Sequence, residues 1–388
     1  MPEGRTRTSG PGCHTVRVPA GASATLSDRV LGRSTLQRQH LLARAPISVP
    51  AMLEHLVGLQ GQVPGVPYTA LWSRVVGFDP EELSSAMAAR TVVRAPLMRT
   101  TLHTVTARDC LALQPVTAPV LARTFASTAW GRRLRGQDLG PAFAAAGTLV
   151  AERPLTRAAL AKELAPRFPE LDATSLAWAF SYLAPVLQPT PRGLWRRSGP
   201  SALTTIEAWL GQAPGAGMGL DTLVRRYLTA FGPASVNDVQ AWCGLTRLRE
   251  ITEGMDLRRH RSAAGAELLD LADATLPDED VPAPVRFLGE YDNALIGYAD
   301  RSRTDAGSAL DLPQGGPGGA VGTVLVDATV RAAWALRRRG DGFTLTVHPR
   351  SPLPRDDAEE VVREATALGT FLTLGADLRV EMDRPDAG

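Results

Sequence analysis

Two glutamines either side of a glycine, in the segment Leu59-Gln60-Gly61-Gln62-Val63-Pro64, are the residues of this chain best suited to chemistry. A glutamine amide is neutral at every ordinary pH and carries both a donor and an acceptor. Two such amides can hold one water or one polar group without adding charge. The segment follows an apolar, helix-like run, so a second reading also stands: the amides cap the end of that helix.

Other chemistries find little footing. Lys162 is the only lysine and sits in an ordinary amphipathic pattern, so Schiff-base chemistry has one poor candidate. Cys13, Cys110 and Cys243 are far apart, and no CxxC or HExxH spacing occurs. Neither a disulfide framework nor a zinc site is supported, and no cofactor is expected. The Gly-rich stretch 315–322 lacks the strand–turn–helix setting of a phosphate loop and reads as a mobile loop.

At 388 residues, 44% hydrophobic and 21% charged, the composition is that of an ordinary globular protein with several domains. No apolar run approaches the ~20 residues that span a bilayer. Residues 1–25, rich in Gly, Ser, Thr, Pro and Arg, read as a disordered tail on a cytoplasmic protein. The net charge of +2 is unevenly spread. From Arg90 to Pro200 there are 15 Lys/Arg against 6 Asp/Glu; from Ala263 to Asp300 there are 9 Asp/Glu against one Arg. A basic working surface with an acidic region elsewhere is the implication.

The glutamines must be positioned by what surrounds them. Helices are expected from Ser34, as N-cap, to Leu42; over Val49–Leu59; over Tyr68–Val76; and from Pro80, capped by Asp79, to Arg90. A hairpin follows over 91–105, with Arg94 and Arg99 projecting from it. After a helical connector the pattern recurs. Helices at 141–150, 157–164 and 173–183 precede a hairpin at 186–198 carrying Arg192, Trp195, Arg196 and Arg197. A third round has helices at 221–231, at 236–243 capped by Ser235, and at 245–255. Its hairpin is 257–262 with 267–271. Three helices and a basic hairpin, repeated at roughly 80-residue spacing, are the pattern of tandem winged helices.

Beyond Pro282 the chain turns β-rich, with strands over 287–296, 322–336 and 342–348. A closing helix spans 356–368, Gly369 is its stop, and 370–374 offers a last strand. The spacing suits a small β-barrel or a curved sheet, of which the barrel is the expectation. The fold class is therefore mainly α with β (α+β): tail 1–25, winged helix 1 with connector 26–135, winged helix 2 136–215, winged helix 3 216–281, and barrel 282–388.

Basic wings suit duplex DNA, where arginines neutralise phosphates and donate to them. Two readings stand for Trp195: stacking on a base, or packing on its own hairpin. A non-catalytic DNA-binding regulator and a protein-interaction scaffold are the rival classes. The chain shows no dimerising coiled coil of the kind regulators use.

Several motifs taken in order resemble one family: His55-Leu-Val-Gly-Leu-Gln60-Gly-Gln62-Val-Pro, Leu71-Trp72-Ser73-Arg74, Arg94-Ala-Pro-Leu-Met-Arg99-Thr-Thr-Leu-His103, Pro191-Arg192-Gly193-Leu-Trp195, Phe287-Leu-Gly-Glu290-Tyr291-Asp292-Asn293, and Arg301-Ser-Arg303. Together they resemble the AlkZ-like winged-helix DNA glycosylases, from about Leu26 to Leu374. The resemblance implies three winged helices and a β-barrel forming a C-shaped, DNA-sized channel. It implies excision of N-alkylated purines, bulky or crosslinked guanine N7 adducts included, and in some relatives self-protection of an antibiotic producer. It places the water-holding Gln-x-Gln motif on Gln60 and Gln62, with Gly61 where the family carries an apolar residue. With no lysine nucleophile to hand, monofunctional hydrolysis by a monomer on double-stranded DNA is expected. Arg99 and His103 are expected on the phosphate beside the lesion, His103 having the alternative of a structural role. Glu290 and Asp292 are expected to brace the barrel by pairing with Arg301 and Arg303.

Overall fold

The computed structural model describes residues 15–16, 24–304 and 319–384. Most of the 1–25 tail, Cys13 and residues 315–318 of the Gly-rich stretch lie outside these; Ala320–Gly322 open a strand.

Three helix-and-sheet units follow one another. In the first, the helices are Asp28–Arg38, Val49–His55, Val66–Trp72 and Pro80–Ala88. The first helix begins six residues before the expected Ser34, because Ser27 caps it by accepting from the Val30 N–H. The second stops at His55 rather than Leu59. Val57 and Gly58 then take positive φ, 54° and 91°, and turn the chain out of the helix. Leu59–Gln60 therefore forms a strand, antiparallel to Leu102–Thr106, which in turn pairs with Val92–Pro96. The glutamines are not helix caps.

The second unit has helices Gly140–Glu152, Arg157–Leu164 and Ala173–Leu183. Its sheet orders Leu155–Thr156, Ala202–Thr205 and Val186–Leu187, so residues 189–199 form a long loop in place of the expected 186–198 hairpin. The third has helices Leu220–Phe231, Val236–Cys243 and Arg249–Glu253, and a hairpin of Leu257–Ser262 with Glu267–Leu271. Thr25–Leu26 adds to that hairpin in parallel. One apolar core runs from the first unit into the third through residues such as Leu53, Tyr68, Tyr227 and Trp242; the second unit has its own around Phe180 and Leu160.

The C-terminal part is an open five-stranded sheet rather than a barrel. Arg286–Gly289, Ala320–Val326, Thr329–Arg339 and Gly342–Pro349 pair antiparallel in chain order. The helix Arg355–Thr373 then crosses over, and Leu378–Met382 joins in parallel beside Gly342–Pro349. That crossover places the last strand at an edge, away from the first, so the sheet does not close. The helix runs through Gly369, where a Cβ would lie 2.5 Å from Leu378 Cδ2; glycine is there for close packing, not as a stop.

Candidate functional site

Gln60 is 7% exposed and ends its strand opposite His103; Gln62 lies two residues on, in the exposed loop. Arg99 Nη2 donates to Gln60 Oε1 at 3.2 Å, and the Leu102 N–H donates to Gln62 Oε1 at 3.3 Å. Both partners can only donate, so each amide oxygen must be the atom facing them. Both amides are thereby fixed in orientation, with one lone pair on each oxygen and both NH2 groups left over.

Gly61 is held on both sides. Its N–H donates to Leu102 O at 2.7 Å, and its carbonyl accepts from Arg94 Nη2 at 2.6 Å. A Cβ here would lie 2.7 Å from Thr104 Oγ1 and 3.6 Å from Arg94 Nε. The Thr104 hydroxyl would have to move to admit a side chain, while the backbone of its strand, 3.5 Å from that Cβ, lies at ordinary contact distance. Glycine at this position serves contact, and its backbone is tied down rather than free.

Several residues expected to face DNA turn inward. Arg94 is 1% exposed and bonds Gln188 Oε1 at 3.2 Å besides Gly61. The second unit docks across its strand, where the Gln188 N–H donates to Arg94 O at 2.8 Å, and this buries the side chain. Burial pulls the guanidinium down to about 10, still charged at neutral pH. Arg99 also spans units: Nη1 donates to Trp242 O at 2.6 Å from a left-handed backbone, φ 52°. Burial, and then Arg301, lower it to about 10. Trp195 packs on the first unit and on the helix Arg355–Thr373 rather than on its own loop. Its ring meets Tyr68 at 4.7 Å and Phe371 at 5.3 Å, while its backbone N–H donates to Ser84 Oγ at 3.0 Å. Tyr68 O–H donates to Gly193 O at 2.8 Å, completing the docking of this loop on the first unit. Arg192 is half-buried and donates to Gly199 O; Arg196 donates to Leu372 O; Arg196 and Arg197 are exposed.

His103 is 1% exposed, with Nδ1 2.9 Å from Thr101 O. Burial, and then Arg99, hold its pKa down at about 3, so it is neutral and offers a phosphate no charge. An unfolded histidine titrates near its ordinary 6.5. Between that value and about 3 only the unfolded chain binds the proton, so stability is full above 6.5 and is lost as the pH falls. Going from pH 7 to pH 5 should remove about 2 kcal/mol at this residue. In urea unfolding at the two pH values, His103→Gln should show a correspondingly smaller loss than wild type; equal losses would place the acid sensitivity elsewhere.

Two cavities flank the motif. One of about 310 Å³ is walled by Gln62, Gln188, Arg192, Arg157, Trp178 and Tyr182. The other, about 770 Å³, starts at Val63–Val66 and reaches Trp195, Arg197, Glu290 and Arg338. Arg157, Trp178 and Tyr182 carry no motif of their own in the sequence, and Arg338 sits in a run of three arginines. Behind the loop, Asn293 Nδ2 donates to Gly58 O at 2.9 Å. Asp292 pairs with the fully buried Arg74, not with Arg301 or Arg303. Arg303 turns instead to Asp238, at 3.9 Å, and Tyr298. Among the described residues no cluster of His, Cys, Asp or Glu could hold a metal, and no helix is long and apolar enough to cross a membrane.

A family model described as DNA glycosylase AlkZ-like matches residues 53–371. The solved structure of Streptomyces sahachiroi DNA glycosylase AlkZ is similar with a TM-score of 0.70 at 20% identity. That likeness covers 92% of this chain and 100% of the other. No curated protein matches.

Proposed function

The chain belongs to the AlkZ-like DNA glycosylase family, and from that premise we propose that it hydrolyses the N-glycosidic bond of N7-alkylguanines in double-stranded DNA, bulky and crosslinked adducts included. We read its three helix-and-sheet units as winged helices arranged around a duplex-sized channel, in a cytoplasmic monomer. The observation that carries the reading is the pair of neutral amides, each pinned through its oxygen, with Gln62 on the wall of the smaller cavity and the next residue, Val63, on the wall of the larger.

An N7-alkylated guanine is already cationic. As its C1′–N9 bond breaks, the electron pair passes into the ring, and the base leaves neutral without a general acid. The water oxygen bonds to C1′, and its proton goes to solvent. This resembles glycoside hydrolysis with the acid omitted. The free lone pairs of Gln60 and Gln62 accept from that water and aim it at C1′, a contribution of positioning rather than of basicity. With no lysine at the site, the abasic product stays uncleaved, which makes the enzyme monofunctional. Arg192, Arg196 and Arg197 supply phosphate contacts, while Arg94, Arg99 and His103 hold the machinery from inside.

The test is incubation with duplexes carrying small, bulky or crosslinked N7-alkylguanine, followed by alkali to break abasic sites. Strand breaks that need the alkali step are expected. Binding with no breaks on any adduct would return the chain to a non-catalytic DNA-binding protein.

A further inference from the structure

Segment 289–293 lies along the glutamine loop. At one end Asn293 Nδ2 bonds Gly58 O at 2.9 Å; at the other, a Cβ on Gly289 would lie 3.3 Å from Val66 Cγ1. The contacts at 58 and 66 bracket Gln60–Gln62, and those at 293 and 289 bracket Glu290–Asp292. Asp292 turns inward to Arg74. Glu290 and Tyr291 do not. Glu290 lines the larger cavity with Val63 and is the one carboxylate on a wall that also carries Arg196, Arg197 and Arg338. It makes no ion pair among the described residues. The neighbouring Glu290 carboxylate raises the pKa of the Tyr291 hydroxyl above its ordinary value. Tyr291 is 45% exposed, one of five large hydrophobic residues so exposed among those described, and Val63 in the facing loop is another. Its backbone is left-handed, φ 59°, a conformation an aromatic residue rarely adopts and one that gathers at functional sites.

A carboxylate in a basic, phosphate-binding channel repels the ligand the channel exists to hold. Its presence makes physical sense where a positive charge must be received. An aromatic face beside a carboxylate is the pairing that receives one. We propose that Glu290 and the ring of Tyr291 form a cation-recognition subsite beside the glutamine pair, which selects alkylated purines by the positive charge of the ring. This rests on the glycosylase reading, and it adds what that reading lacks: the residues that tell a charged base from a neutral one of the same shape.

The test separates charge from shape and binding from cleavage. Two duplexes are compared, one with 2′-fluoro-N7-methylguanine, which is cationic and resists hydrolysis, and one with neutral 7-methyl-7-deazaguanine. Wild type should bind the cationic duplex about tenfold more tightly. Glu290→Gln should remove that preference without weakening binding to the neutral duplex, and Tyr291→Phe, which keeps the ring, should retain most of it. No preference in wild type, or one that survives in Glu290→Gln, overturns the subsite; so does a loss of affinity in Glu290→Gln that is equal for both duplexes. Because no bond is cleaved, these outcomes stand apart from failure of the excision assay, which bears on the glycosylase reading alone.

Discussion

Replacing Gln60 and Gln62 together by alanine is expected to lower single-turnover excision of N7-methylguanine by about 10³ while leaving the affinity for undamaged duplex unchanged. A pre-oriented polar group at a reacting centre typically contributes a factor of about 10²–10³, and groups acting on one water are not additive. The two single substitutions should differ in a way the geometry dictates. Gln62 is exposed, and losing its bond from the Leu102 N–H leaves that donor near solvent. Gln62→Ala should therefore fold like wild type and report on rate alone. Gln60 is buried, and its removal strips a partner from Arg99. An unsatisfied buried donor costs about 1–3 kcal/mol, so Gln60→Ala should lose stability as well as rate. Excision and filter binding, with unfolding curves as control, separate the three effects. Full activity in the double variant would reduce both glutamines to holding the loop.

Where sequence periodicity was long, it located the elements. Ala173–Leu183, Val236–Cys243 with its Ser235 cap, and the 257–271 hairpin lie where apolar spacing and cap residues put them. The site was legible as residue types but not as geometry. Leu59–Gln60 is a strand of two residues, too short to carry a period, and the turn that ends the helix begins at Val57, a β-branched residue that gives no sign of a positive φ, one residue ahead of Gly58. The arginines misled for a different reason. Burial of Arg94 comes from the second unit docking on its strand, a contact between Arg94 and Gln188 that no local pattern encodes. Trp195 likewise owes its position to Tyr68 and Phe371, far away in sequence. Strands of the C-terminal sheet were recognisable by composition. Its openness was not, because closure depends on which neighbour the last strand chooses after the Arg355–Thr373 crossover.

Asp292→Ala is expected to destabilise the protein by about 3–5 kcal/mol, the usual cost of breaking one side of a buried ion pair. Arg74 and Asp292 have fully buried side chains and meet through two bonds, of 2.7 and 2.9 Å. Arg74 also donates to Gln39 Oε1 at 3.0 Å and Ala70 O at 3.1 Å, so its guanidinium cannot swing to solvent when the carboxylate is gone. Asp292 moreover caps the helix Asn293–Ile296 through the Ala294 N–H, and the next residue, Asn293, holds Gly58 O behind the glutamines. The pair thus ties the C-terminal part to the loop that carries the site. Excision should fall in Asp292→Ala even at temperatures where the protein remains folded. Asp292→Asn keeps the shape and the cap acceptor but not the charge, and should lie between. Arg74→Met with Asp292→Leu removes both charges together, and should recover much of the stability lost in the single variant without recovering the cap or the activity. Urea midpoints at constant m-value measure the first effect and the excision assay the second. An Asp292→Ala variant within about 0.5 kcal/mol of wild type, inside the ordinary scatter of surface substitutions, would mean that water reaches Arg74 and that the two parts are joined some other way.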